Sequence, residues 1–317
     1  MSKADLVVLQ PGATLEEAAA VLEKRVCPVF LLADEQGQLL ALLREEDLRV
    51  GLAEKARPQH EAISLAVPPE VFGLSEGEEA RGIGWDRLGL PQPPEVRRAL
   101  LMAGGLGSRL APLTDNCPKP LLPVRGKPLL HRLLAQVQAA GIREVYLSIL
   151  YLGDMIRASV GDGSAFGLEV HYLEESSPLG TAGALGLLPE GEGPLLVMNG
   201  DILSTINLEA LFAWHGRNPR AVTVATWLHK VHVPFGLAHF EGPKLLHIEE
   251  KPTLRLPVNA GIYLFEPDLV AQVPRNKPLD MVGWLNQLAK EGKAGQFPIV
   301  ERWEDIGSLE AYERLQS

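Results

Sequence analysis

The sequence predicts an α/β protein. A mixed, mostly parallel sheet with helices on both faces is expected over residues 96–317, and a small α/β module ahead of it. Three observations lead there. From Val96 onward, short apolar runs alternate with amphipathic stretches, the pattern of a largely parallel sheet. The run Ala99-Leu100-Leu101-Met102-Ala103 leads directly into Gly104, Gly105 and Gly107, a glycine-rich turn at the carboxyl end of a strand, where ligands of open α/β sheets bind. The 317 residues are enough for more than one domain, and Gln92-Pro93-Pro94 marks a boundary.

Taken in order, residues 6–9 read as a strand. Thr14 and Glu17 form a capping box, and Ala18, Val21 and Leu22 give the helix that follows one apolar face. Apolar runs at 29–32 and 39–43 flank Asp34-Glu35-Gln36-Gly37, a hairpin signal, and 44–52 reads as a second helix. Residues 61–95, rich in Gly, Pro and Glu, have no clear period. Beyond the glycine turn, 128–140 is a helix closed by Gly141, followed by a strand at 144–150, a helix at 153–160, a strand at 168–173 and a helix at 181–187. The very apolar strand 194–198, the helix 208–215 and the strand 221–228 come next. Strands at 236–240, 245–250 and 258–265 and helices at 279–289 and 308–315 complete the expectation.

Composition narrows the function. With 30 basic and 40 acidic side chains the formal charge is −10, which argues against a nucleic-acid surface. No apolar run approaches membrane-spanning length, and no signal peptide is visible in the first ten residues. Cys27 and Cys117 make neither a disulfide framework nor a zinc site, which fits a reducing cytoplasm. The histidines show no metal-ligand spacing.

An anion-handling protein of negative charge must gather its cations locally, and Arg109 and Lys119 stand directly behind the glycine turn. Backbone N–H groups and fixed cations together suit a polyphosphate. The dinucleotide fingerprint does not fit, because Leu110 stands where its third glycine belongs, and no Gly-Lys-Ser/Thr ends the loop as in a P-loop.

The stretch GGLGSRLAPLTDNCPKPLLPVRGKPLL, from Gly104 on, resembles the signature of the sugar-1-phosphate nucleotidylyltransferases, at nearly every fixed position. The resemblance covers about residues 97–317 and implies a Rossmann-like catalytic domain. The implied reaction joins an NTP and a sugar 1-phosphate into an NDP-sugar and pyrophosphate. It implies that Gly104, Gly105, Gly107 and Ser108 cradle the nucleotide, and that Arg109 and Lys119 hold the triphosphate. Asp201, after LLVMNG, and Asp305, in WEDIG, then correspond to two magnesium carboxylates. Lys251 and Glu250 in EEKP, Asn259 in NAGIY and Gly236 in PFG fall at sugar-phosphate positions. Gly180 and Thr181, in PLGTAG, fall where the base is read; this segment is similar to the mannose-1-phosphate guanylyltransferases, so GTP is the expected donor, with UTP or dTTP the alternative. From a different class, a non-catalytic nucleotide or sugar sensor would share the fold but could dispense with the carboxylates.

Residues 1–60, with ADEQGQLLALLREEDL, resemble one CBS repeat, and 61–95 a linker or truncated second repeat. Asp47 stands at that family's ribose-binding acid, but Arg44 replaces the hydroxyl. The expectation is therefore a docking or homo-oligomer module without an adenosine site.

Overall fold

The computed structural model describes residues 7–316 apart from 23, 25, 26, 28, 55–59, 73, 81–87, 89–92 and 106. Leu6 of the first expected strand and Gln92 of the expected boundary lie outside them.

The N-terminal module is β1 (Val7–Leu9), α1 (Leu15–Leu22), β2 (Val29–Ala33), β3 (Leu39–Arg44) and α2 (Glu45–Glu54). Its sheet runs β1-β2-β3, with β1 parallel and β3 antiparallel to β2. The capping box forms: Thr14 N–H donates to Glu17 Oε2 at 2.8 Å and Glu17 N–H to Thr14 Oγ1 at 3.2 Å. Asp34 Oδ1 accepts from the N–H groups of Gln36 and Gln38 and so closes the hairpin. Leu15, Ala18, Leu22 and Leu48 cover one face of the sheet; Leu74, Ala80 and Leu88 pack on the other, against Val29, Leu31 and Leu42. Arg44 donates to both oxygens of Asp47, at 2.5 and 2.7 Å, so the acid at the ribose-binding position is already engaged.

The larger body holds β4 (Arg98–Met102), the small hairpin β5 (Pro123–Val124) and β6 (Lys127–Pro128), α3 (Leu129–Ala139), β7 (Glu144–Ile149), α4 (Gly153–Val160), β8 (Glu169–Glu174), β9 (Leu195–Asn199), β10 (Ile202–Ser204) and α5 (Leu208–Arg217). Then follow β11 (Val222–His232), β12 (Leu237–Glu241), β13 (Lys244–Glu249), β14 (Thr253–Phe265), α6 (Pro267–Val270), α7 (Met281–Lys290), β15 (Ala294–Ile299), β16 (Trp303–Asp305) and α8 (Leu309–Gln316). Seven of these strands form one sheet in the order β15-β11-β14-β9-β4-β7-β8. Only β14 runs against its neighbours.

Both faces of this sheet are covered, so its central strands are apolar throughout. Alternate residues feed two cores. Ala99, Leu101, Val145, Leu147, Leu196 and Met198 face α3, α4 and α5. Leu100, Tyr146, Leu195 and Val197 face α6 and α7. In α3, Leu129, Leu130, Leu133, Leu134 and Val137 form the buried stripe that docks it. Asn207 caps α5 by accepting from Ala210 N–H, and Asp280 caps α7 by accepting from Gly283 N–H. Among the described residues no helix is long and apolar enough to cross a membrane.

Several elements depart from the sequence reading. The helix expected at 181–187 is a short 3-10 turn, Gly183–Leu187. Strands β11 and β14 run on past the sheet into a long paired arm, which carries the β12–β13 hairpin at its end. Strand β15 was not expected; it contains Gly295 and Pro298 and lies at the sheet edge, where proline is tolerated.

The module docks on the larger body through α2. Arg49 and Glu45 are fully buried. Arg49 Nε donates to Glu45 Oε1 at 2.9 Å, its Nη1 to Pro298 O and Glu301 Oε2 at 3.1 Å each, and its Nη2 to Glu301 Oε1 at 3.0 Å. The guanidinium also stands 4.4 Å over the Phe297 ring. Burial pulls the Arg49 pKa down, but the two carboxylates outweigh it and the net shift is upward. Arg217 adds a bond to Glu45 at 2.7 Å.

Candidate active site

The site lies beyond the carboxyl ends of the parallel strands. After β4 the chain enters the glycine turn; after β9 it turns at Gly200, whose N–H donates to Met102 O at 2.8 Å, and reaches Asp201. The two expected anchor regions are therefore neighbours because β4 and β9 pair in parallel register.

Gly107 adopts φ +66°, and a Cβ there would lie 2.9 Å from Thr114 Cγ2 and 3.3 Å from Lys119 Cβ. Glycine is needed on both counts. Thr114 Oγ1 donates to Gly107 O at 2.9 Å and fastens the turn. Ser108 and Arg109 follow on a 3-10 turn, exposed, while Leu110 anchors it in a small core with Leu122, Val124, Ile306 and Leu315. Helix α8 braces this loop from outside: Tyr312 Oη and Gln316 Nε2 both donate to Pro123 O, at 2.8 and 2.6 Å.

Lys119 is only 8% exposed, and its Nζ lies 2.6 Å from Asp201 Oδ2. Asp305 is 104 positions beyond Asp201 (305 − 201), and the β10–β16 pair joins them. Ile202 stands opposite Asp305 in that pair, and Ile306 N–H donates to Asp201 O at 3.0 Å. Partial burial, then the Asp201 charge, push the Asp305 carboxyl above its usual value, with Lys119 and Arg109 pulling the other way. Two carboxylates and two cations thus converge on one place.

The residues expected on the base and sugar sides make the following local contacts. Gly180 packs on the Leu279 carbonyl. The Thr181 hydroxyl accepts from Met281 N–H at 2.8 Å and donates to Asp280 at 3.2 Å, so it holds the start of α7. Gly104 has Glu175 beside it, 3.4 Å from the position of a Cβ, and Glu175 Oε2 accepts from Leu179 N–H at 2.9 Å. Glu175 thereby holds the segment before Gly180 while lying beside the glycine turn. The sequence reading passed over it, although its place just after β8 was the available signal. On the arm, a Cβ at Gly236 would lie 3.2 Å from Glu250 Oε2, which brings those two expected residues together. Lys251 is exposed with φ +46°, a backbone region costly for a side chain other than glycine. Asn259 turns inward on its own strand: its Nδ2 donates to Tyr263 Oη at 2.9 Å, and its Oδ1 accepts from Gly261 N–H at 3.0 Å.

The profile of the nucleotidyl transferase family matches residues 98–317, the whole body that carries these groups. The chain belongs to that family. This nucleotidyl transferase chain is 34% identical over 228 residues to a mannose-1-phosphate guanylyltransferase of Mycobacterium tuberculosis, a match covering 68% of this chain and 62% of the relative. It is 41% identical over 136 residues to an N-acetylmuramate alpha-1-phosphate uridylyltransferase of Neisseria meningitidis, covering 41% and 58%. Its fold resembles that of HddC from Yersinia pseudotuberculosis, with TM-score 0.54 and 24% identity over 70% of this chain and 98% of that one. The chain spans about six tenths of the length of the curated guanylyltransferase relative.

Proposed function

We propose that the chain transfers a nucleoside monophosphate from GTP to a sugar 1-phosphate, releasing pyrophosphate. The observation that carries this reading is the convergence of Lys119, Asp201 and Asp305 under the glycine turn, with Lys119 Nζ 2.6 Å from Asp201 Oδ2. The sugar phosphate is ionised at neutral pH, so no general base is needed. An oxygen of that phosphate attacks the α-phosphorus, a new P–O bond forms, and the bond to the β-phosphate oxygen breaks with its electrons leaving on pyrophosphate. The protein's task is to bring two anions together and stabilise the charge that develops.

Backbone N–H groups of Gly104, Gly105, Gly107 and Ser108 cradle the triphosphate. Arg109, as a fork, and Lys119, as a point charge, offset its charge. The donor set fits magnesium: Mg²⁺ takes one or two carboxylates plus substrate oxygens, and burial first, then the Asp201 charge, raise the Asp305 carboxyl, of which a divalent cation would offset the second. Asp201 and Asp305 would hold the ion, which would polarise phosphate oxygens. Lys119 neutralises Asp201 when no substrate is present. Lys251 takes the sugar phosphate, while Gly236, Glu250 and Asn259 flank the sugar. A binding-only sensor would have no use for two carboxylates held against each other, which favours the enzyme.

The base is read on the backbone around Gly180, because the Thr181 hydroxyl is committed to α7. Small side chains there leave room for a purine, and the guanylyltransferase relative supports GTP. UTP is the second reading, supported by the uridylyltransferase relative. The test is pyrophosphate release from GTP, UTP, dTTP and ATP against a panel of sugar 1-phosphates with magnesium. GTP should exceed UTP in kcat/KM by more than about tenfold, or ~1.4 kcal/mol. A UTP preference would transfer the assignment to the second reading, and no turnover with any pair would remove the enzyme reading. The chemistry belongs in the cytoplasm, where NTPs are made. Contact between copies, expected through the N-terminal module, falls on its remaining surface, since the Arg49 face of α2 is covered within the chain.

A further inference from the structure

The fully buried ion pair between Arg49 of the N-terminal module and Glu301 of the larger body lies four residues before Asp305 (305 − 301). We propose that the module is part of the active site's framework: Arg49 is a positioning residue that fixes where Asp305 stands. The inference rests on the role given to Asp305 above.

The path is short: hydrogen bonds from Arg49 to the chain at 298–301, then the backbone on to Asp305. Arg49 grips the end of β15 at Pro298 O and takes both oxygens of Glu301. Glu301 Oε2 also accepts from the Val300 N–H at 3.0 Å, so the carboxylate pins its own backbone. The chain then enters β16. On its other side Arg302 O accepts from Thr205 N–H at 2.9 Å and from Ser204 Oγ at 3.0 Å. Trp303 Nε1 donates to Ala260 O at 2.8 Å, and Ile306 N–H donates to Asp201 O. The segment 298–306 is therefore clamped between two supports: β10 with β14 on the site side, and α2 of the module on the far side. A three-residue strand paired only with another three-residue strand has little rigidity of its own.

Burial makes the clamp specific. A guanidinium offers a rigid fork of donors, and here it spans Glu45, Glu301 and a backbone carbonyl at once. A lysine ammonium, with three donors, could not make the four bonds that Arg49 makes to them. Charge repelled from water in this way resists sliding, because any displacement leaves a buried carboxylate without its partner. A carboxylate that must meet a phosphate-bound cation tolerates little misplacement: about 1 Å can cost roughly a hundredfold in rate.

The experiment uses the full chain. Arg49→Met alone strands Glu301 and is at risk of misfolding, so the main variant is Arg49→Met/Glu301→Met, which removes the pair together and leaves Glu45 with Arg217. Replacing a buried ion pair by apolar groups of similar size need not lower stability. Hydrogen exchange of the Thr205 and Ile306 amides, which close the β10–β16 junction, is compared with that of β4 and β9. The expected result is at least about tenfold faster exchange at those two amides with the β4 and β9 amides unchanged, and a kcat about tenfold lower at an unaltered KM for the NTP. Unchanged exchange at Thr205 and Ile306 overturns the proposal, as does a uniform rise across all strands, which would mark general loosening. If the parent chain releases no pyrophosphate, the function proposed above fails, while the exchange comparison still decides whether Arg49 holds the Asp305 segment. Arg49→Lys keeps the charge but not the fork, and should show the same local loosening rather than rescue.

Discussion

The nucleotide and sugar halves of the proposed site are built differently. On the nucleotide half, Lys119 is 8% exposed, Gly107 is wedged against Thr114, and α8 fastens the loop at Pro123. On the sugar half, every residue of β13 is exposed, and Phe235, Phe240 and Ile248 on the arm face solvent at 73%, 63% and 58%. A two-stranded hairpin with no sheet behind it is marginal in water. The difference teaches where each function belongs. Charge stabilisation needs groups already in place before the substrate arrives, because reorganising them costs rate. Under the proposed function, selection among sugars falls to this exposed arm, whose contacts are made when the substrate arrives.

The strongest break in this comparison is at the carboxylates. Asp201→Asn or Asp305→Asn should lower kcat by at least about a hundredfold, the scale of losing a main electrostatic stabiliser, with the denaturant midpoint little changed for Asp305→Asn. For Asp305 the sign can be worked out. Its carboxyl is raised in the folded protein, so its ionised form opposes folding, and that penalty grows as pH rises through the unfolded and then the folded pKa. An amide at 305 escapes the penalty and should not destabilise the protein at neutral pH. Steady-state kinetics and urea unfolding decide it; near parental turnover in either variant would remove that residue from the chemistry.

Gly107→Ala tests whether the nucleotide half is preorganised. The added Cβ meets Thr114 at 2.9 Å on a backbone at φ +66°. The strain should cost about 1–3 kcal/mol of stability and raise the KM for GTP about tenfold. A variant with ordinary kinetics would show that the turn adjusts freely, and the contrast between the halves would disappear.

Lys251→Ala sharpens the comparison from the other side. Losing one charge-assisted contact to phosphate should raise the KM for the sugar 1-phosphate about tenfold, with the KM for the NTP within about twofold and the unfolding midpoint unmoved. Equal rises in both KM values would mean that Lys251 serves the triphosphate instead.

What the sequence determined by itself is the local part. The run 99–103 followed by three glycines, the Thr14–Glu17 capping box and the apolar stripe of α3 each follow from neighbours along the chain, and each stands where the sequence placed it. Periodicity says which residues share a face, and glycine and proline say where the chain turns. Tertiary structure decided the rest. Only the β10–β16 pair brings Asp305 to Asp201 across 104 positions, because pairing between distant segments depends on what the intervening chain has already formed. Strand β15, with its glycine and proline, carries no strand signal of its own, and it forms where the sheet edge receives it. The Thr181 hydroxyl is suited to a ligand in isolation, and it is α7, a hundred positions on (281 − 181), that claims it. Arg49 reads as an ordinary charge on a helix surface; the free energy that makes it a fixed point comes from removing it, Glu45 and Glu301 from water together, and no stretch of sequence carries all three.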